Sequence, residues 1–309
     1  MANALRISFK FSSEPTMTSR RNFLTIAGAA SLGLAPTFQI ARAQSKKLRF
    51  GVGPFLPSAE DTKKSFTPIF AHLAKQLGAT DFDLQVSTDW AGLAVAMGSG
   101  QLDCAWMGPW GYIIANNATD CQAVATVKYD DKATYQAIII ARPDLKVSKF
   151  PDDTRGKSIA FADLGSTSGW LIPTFYAQNV WKINPKTFWQ YREGSSHPAN
   201  EIAVQEGQVD MATDFDRNRN AMISSGRIKA ESVPIVWTSD PLPNDAIAVP
   251  KTASAEMSAQ VQSILSSLTP DEAKALLPNR YTGFLKSSHK SYDMIEKAGL
   301  AVGRIKAKA

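Results

Sequence analysis

From residue 46 onward, short apolar runs alternate with stretches in which apolar residues recur at helical spacing. The runs at 48–53, 82–87, 102–107, 123–128 and 135–141 have the length and the β-branched or aromatic content of strands. Between them, 66–77 reads as an amphipathic helix and 91–97 as a short one. Beyond Pro143 the pattern restarts, with strands predicted at 157–162, 188–192, 209–213 and 233–238. Strands alternating with helices predict an α/β chain with a mostly parallel sheet, and the restart predicts a second lobe.

An internal repeat supports that division. Gly100-Gln101-Leu102-Asp103-Cys104-Ala105 recurs 107 residues later as Gly207-Gln208-Val209-Asp210-Met211-Ala212. The same offset maps Trp90 onto His197, each at the start of the helix that precedes its copy. Equivalent helix starts in two lobes would face each other across a cleft. In open α/β sheets, ligands bind beyond the carboxyl ends of the strands.

The stretch richest in chemistry is Asp163-Leu164-Gly165-Ser166-Thr167-Ser168-Gly169-Trp170-Leu171-Ile172-Pro173, which joins the apolar run 159–162 to a predicted helix start. A helix cap uses one side-chain oxygen, whereas three hydroxyls stand here between two glycines. First-turn amides without acceptors, hydroxyl donors and the positive end of a helix dipole together favour a tetrahedral oxyanion. The turn is not a P-loop, because no Gly-Lys-Ser/Thr closes it. It is not a nucleophile elbow, because Gly165 and Gly169 centre on Thr167.

The first 43 residues are of another kind. Ser19-Arg20-Arg21-Asn22-Phe23-Leu24 is a twin-arginine pattern, followed by a weakly apolar run from 24 to 34 and by Ala41-Arg42-Ala43, an A-x-A cleavage site. The segment reads as a twin-arginine signal peptide cleaved after Ala43, with Met17 a candidate true start, and it implies a periplasmic mature protein. Its five basic residues and one acidic residue leave 29 basic against 27 acidic in the remainder, a net of +2 in place of +6. A near-neutral surface gives no support for nucleic-acid binding. Cys104 and Cys121 stand at the heads of successive strands, as a disulfide or as two buried thiols. His72, His197 and His289 lack metal-ligand spacing, and no cofactor is expected.

Taken together, Ser166-Thr167-Ser168-Gly169 with Pro173, Gly194-Ser195-Ser196-His197, Gly207-Gln208-Val209-Asp210-Met211-Ala212-Thr213 and the stretch from Trp237-Thr238-Ser239-Asp240 to Pro243-Asn244-Asp245 resemble the PhnD-like phosphate/phosphite/phosphonate substrate-binding proteins of bacterial ABC importers. The resemblance runs along essentially the whole mature chain. It implies a two-lobed periplasmic binding protein fold of type II-like form, with lobe one from 46–141 plus 250–309, lobe two from 142–245, and a hinge of two crossings near Ala141 and Ala246. It implies that Ser166, Thr167 and Ser168 hold phosphonyl oxygens, that His197 donates to them, and that Tyr135 reaches in from the other lobe. Trp90 stands where the family often has tyrosine, and Asp245 matches an acidic ligand contact. Arg217 falls where aminoethylphosphonate binders of the family carry a carboxylate, so a compact oxyanion is expected in place of an aminoalkyl one. The partners implied are a small oxyanion and an inner-membrane ABC permease, with the protein itself a monomer.

Two further functions fit parts of the same sequence. An exported hydrolase would use Ser166 or Ser168 with His197 and an aspartate, which requires a base within hydrogen-bond reach of the nucleophile. A sensory oxyanion-binding module would use the same fold.

Overall fold

The structure, a computed structural model, describes residues 47–56 and 58–308. The expected signal at 1–43, with its twin arginines, lies outside the described residues. In chain order the first part holds β1 (Lys47–Val52), α1 (Ala59–Gln76), β2 (Asp81–Val86), α2 (Trp90–Gly98), β3 (Cys104–Met107), α3 (Pro109–Thr119), β4 (Gln122–Tyr129) and β5 (Thr134–Tyr135). The middle part holds β6 (Ala137–Ala141), β7 (Ser158–Ala162), α4 (Ile172–Phe175), α5 (Pro185–Phe188), β8 (Gln190–Ser195), α6 (His197–Gln205), β9 (Met211–Phe215), α7 (Asp216–Ser224) and β10 (Ile235–Thr238). The chain then returns through β11 (Leu242–Pro243), β12 (Ala246–Val249), α8 (Ala255–Ser266), α9 (Pro270–Leu276), β13 (Tyr281–Lys286) and α10 (Asp293–Ala301).

Two sheets organise these elements. The first has the order β13-β4-β12-β3-β1-β2 and the second β10-β6-β9-β7-β8. Both are mixed, which corrects the expectation of a mostly parallel sheet. The β1–β2 and β1–β3 pairs are parallel, but the returning β12 inserts antiparallel between β3 and β4, and β13 adds antiparallel at the edge. In the second sheet β7 pairs parallel with β8 and β9, while β6 and β10 run antiparallel. The apolar run 135–141, assigned to the first lobe as one strand, is divided. Tyr135 pairs with Leu242 in a two-stranded ribbon, and Ala137–Ala141 joins the second sheet beside β9. The segment after Pro250 contributes the edge strand β13 as well as α8, α9 and α10.

Helix α1 buries Phe66, Ile69, Phe70 and Leu73 along one face. They pack on Phe50 and Trp106 of the first sheet, with the Phe66 and Trp106 rings edge-to-face at 5.0 Å. Cys104 and Cys121 are buried free thiols, and burial pushes both pKa values up to about 12. Among the described residues, no helix is long and apolar enough to cross a membrane.

Candidate functional site

The Ser166 hydroxyl caps the helical segment that follows it, accepting from Gly169 N at 3.0 Å. That segment widens into π turns at Thr167–Leu171 and Tyr176–Val180, on either side of α4. Pro173 accounts for the first widening, since it has no N–H to offer the Gly169 carbonyl four residues back. The carbonyl accepts instead from Thr213 Oγ1 at 2.6 Å, which pins the turn to β9.

Helices α2 and α6 begin at Trp90 and His197, capped by Asp89 and Ser196. They occupy equivalent places in the two sheets. In each copy of the repeat the glycine after the helix is left-handed, Gly100 at φ 72° and Gly207 at φ 69°. In each copy the aspartate then accepts a backbone amide of the neighbouring strand at 2.8 Å, Arg49 N on Asp103 and Ser158 N on Asp210.

All eight residues singled out from the sequence line one small cavity: Trp90, Tyr135, Ser166, Thr167, Ser168, His197, Arg217 and Asp245. Direct bonds from one sheet's elements to the other's close it. Trp110 N, in the first turn of α3, donates to Thr167 Oγ1 at 2.8 Å, and Trp110 Nε1 donates to the Leu164 carbonyl at 3.0 Å. Gly165 fits this approach because a Cβ there would run into the Ala91 backbone at the start of α2.

His197 is buried, with Nε2 2.8 Å from Ser166 Oγ and Nδ1 2.8 Å from Asp214 Oδ1. Burial lowers its pKa to about 4, so the ring is neutral at pH 7. Asp214 also takes the Asn218 side-chain amide on both oxygens, at 3.2 and 3.0 Å. A carboxylate has only acceptors to offer, so the ring proton sits on Nδ1 and Nε2 accepts the Ser166 hydroxyl. With that tautomer the ring's donor faces Asp214 and its acceptor faces Ser166. Beneath Asp214, Glu201 is fully buried and neither carboxyl oxygen has a hydrogen-bond partner among the described residues. Burial and the Asp214 charge raise the Glu201 pKa far above the usual range, and Glu201 holds the proton of the pair.

Arg217 is only 6% exposed and points into the cavity. Its Nη2 lies 3.7 Å from Asp245 Oδ2, and its Nε and Nη1 have no partner among the described residues. The guanidinium lies 4.8 Å from the Tyr135 ring centre and 5.2 Å from that of Tyr129. Burial works against its charge, and Tyr281, Asp245 and Tyr135 outweigh that effect. Asp245 Oδ2 accepts from Trp106 Nε1 at 3.1 Å. Burial raises the Asp245 pKa, and Arg217 and Trp106 pull it back. The cavity thus gathers three hydroxyls at a helix start and an arginine with spare donors in a space suited to a compact anion.

Against known proteins, residues 50–292 match the family of ABC transporter, phosphonate, periplasmic substrate-binding proteins. The chain belongs to this family. It is 27% identical to the phosphonates-binding periplasmic protein of Escherichia coli K12 over 254 residues, 80% of this chain and 74% of that protein. It is 31% identical to the phosphate-import protein PhnD of Mycolicibacterium smegmatis over 193 residues, 59% of this chain and 60% of that protein. The fold is that of a binding protein component of an ABC phosphonate transporter from Pseudomonas aeruginosa, with TM-score 0.74, 22% identity and coverage of 84% and 87% of the two chains. A Prochlorococcus marinus PhnD protein in complex with methylphosphonate has the same TM-score at 18% identity, covering 84% of this chain and all of that one. The two-lobed periplasmic binding protein architecture follows.

In this phosphonate-family protein, three further residues line the cavity that the sequence reading did not select: Phe55, Gly108 and Phe215. Phe55 follows β1 and packs edge-on against Trp90 at 4.9 Å. Gly108 and Phe215 are the residues that precede α3 and α7 as their N-caps, and they are again 107 positions apart. Extending the repeat eight residues past Gly100 and Gly207 reaches both, and two residues more pairs Trp110 with Arg217.

Proposed function

We propose that this protein captures a phosphonate- or phosphite-type oxyanion between its two lobes and delivers it to an inner-membrane ABC permease. The observation that carries the reading is a convergence. A turn of three hydroxyls at a helix start and a buried arginine with two unpartnered nitrogens open on one cavity. The Thr167 and Ser168 hydroxyls lie against the Tyr135 hydroxyl at the cavity and would turn to the anion, the turn stands at a helix start, and Arg217 supplies the charge. The first lobe is built on β1–β4, β12 and β13 and the second on β6–β10, with the β5–β11 ribbon at the two crossings as the hinge. Closure about that hinge brings the α3 start onto the turn. The leader with Arg20 and Arg21 sends the chain to the periplasm by the twin-arginine route, and the mature protein acts as a monomer.

Ser166, His197 and Asp214 stand in the row a hydrolase would use, yet the physical chemistry disfavours catalysis. A ring with a pKa of about 4 is a weak base at neutral pH, and the Ser166 oxygen is tied to Gly169 N. We read the protein as a binder that performs no reaction. Calorimetric titration with phosphite, phosphate, methylphosphonate, aminoethylphosphonate and sulfate tests the reading. We expect tight one-to-one binding of at least one phosphorus oxyanion with a fall in the radius of gyration. No binding to any of them would refute it.

A further inference from the structure

The hydrogen bonds around Ser166 constrain its ligand further, if the oxyanion reading above holds. The Ser166 hydroxyl has one proton and two lone pairs. Its proton is spent on His197 Nε2 at 2.8 Å, because the Asp214 carboxylate fixes the ring's only proton on Nδ1. One lone pair takes Gly169 N at 3.0 Å. What remains for the cavity is a single acceptor. Asp245 adds a second, since its Oδ2 is engaged by Trp106 and its Oδ1 makes no hydrogen bond to the described residues.

We propose that Ser166 meets the ligand as a hydrogen-bond acceptor, and that the site takes phosphorus oxyanions in their P–OH form and discriminates against sulfonates and sulfate of the same shape. A methylphosphonate monoanion brings one P–OH to donate and two further oxygens for Thr167, Ser168 and Arg217. A methanesulfonate has the same size and charge but no proton, so one oxygen would face the Ser166 or Asp245 lone pairs unpaired.

The charges around the ring hold this arrangement in place. Asp214 on β9, Asp163 after β7 and Glu201 on α6 all lie near His197, with Arg219 of α7 facing Glu201. The acids favour an imidazolium, but burial is the larger effect and keeps the ring neutral. Asp214 is therefore a positioning residue: it chooses which ring nitrogen is the acceptor, and through it which way the Ser166 proton points. Replacing it with asparagine would present an N–H to Nδ1, move the ring proton to Nε2, and release the Ser166 proton toward the cavity.

The test is calorimetric titration of methylphosphonate and methanesulfonate into the wild-type protein, repeated at rising pH, and into Asp214→Asn. Wild type should bind methylphosphonate about tenfold to a hundredfold more tightly than methanesulfonate. The advantage should shrink as the phosphonate loses its second proton. In Asp214→Asn the ratio should narrow or invert, which a loosened fold that weakened both ligands alike would not produce. Equal affinities in wild type would overturn the inference while leaving oxyanion capture intact. Failure of wild type to bind methylphosphonate would overturn the oxyanion reading, and this inference with it.

Discussion

The Trp110 amide donates to the Thr167 hydroxyl over 2.8 Å, tying the start of α3, which follows β3 of the first sheet, to the Ser-Thr-Ser turn that follows β7 of the second. The bond uses a lone pair of Thr167 and leaves its proton for Tyr135 or for a ligand in the cavity. It also aims the positive end of a second helix at the turn, so two helix starts face the same small space. A ligand bound at this turn, as proposed above, would sit beside the bond that joins elements of the two sheets.

Arg217 predicts the order of ligands. Its guanidinium points into the cavity beside Asp245, and an ammonium brought there would meet a like charge at close range in a dry site. Wild type should bind methylphosphonate or phosphite more tightly than aminoethylphosphonate, and Arg217→Glu should narrow or reverse that order. Calorimetry on both proteins reads it. Tighter aminoethylphosphonate binding by wild type would mean that Asp245, which lines the same cavity, holds the amine in spite of Arg217.

Glu201 predicts a pH dependence of stability. Its folded pKa lies above the unfolded one, so its contribution is fully present below about pH 4.3 and is lost as pH rises. Glu201→Gln keeps the shape, offers an N–H to Asp214 and needs no proton. It should stabilise the protein at pH 8 by on the order of 1 to 3 kcal/mol and by much less at pH 5. Thermal unfolding at both pH values decides the matter, and an equal change at both, or a loss at pH 8, would contradict the account.

The leader predicts a route. Replacing Arg20 and Arg21 with lysine should hold the precursor in the cytoplasm, because the pair is read as an address. Fractionation of cells with an antibody to the mature chain measures this, and normal periplasmic yield from the double variant would show that another route is used.

Much of the site was legible because its chemistry is local. Ser166, Thr167 and Ser168 stand in one turn between two glycines, and the repeat carried Trp90 onto His197 at matching helix starts. The sheets were less legible. Strand β12 is four apolar residues, Ala246 to Val249, and nothing local says that so short a run returns antiparallel into the centre of the first sheet. Tyr135 and Ala137–Ala141 form one apolar run in the sequence, but Gln136 separates a ribbon strand from a sheet strand. The acids behind His197 were hidden for another reason. From the sequence Asp214 is an acid that could reach a ligand's ammonium and Glu201 an ordinary polar position, and only their packing in the fold shows both to be buried.

The most direct test of the account is the titration of methylphosphonate into wild type and Thr167→Ala under identical conditions. A hydrogen bond to a desolvated anion contributes about 1.5 to 3 kcal/mol, so the variant should bind about tenfold to a hundredfold more weakly. An unchanged affinity for methylphosphonate, phosphite and every other oxyanion bound by wild type would place the ligand somewhere other than the Ser166-Thr167-Ser168 turn.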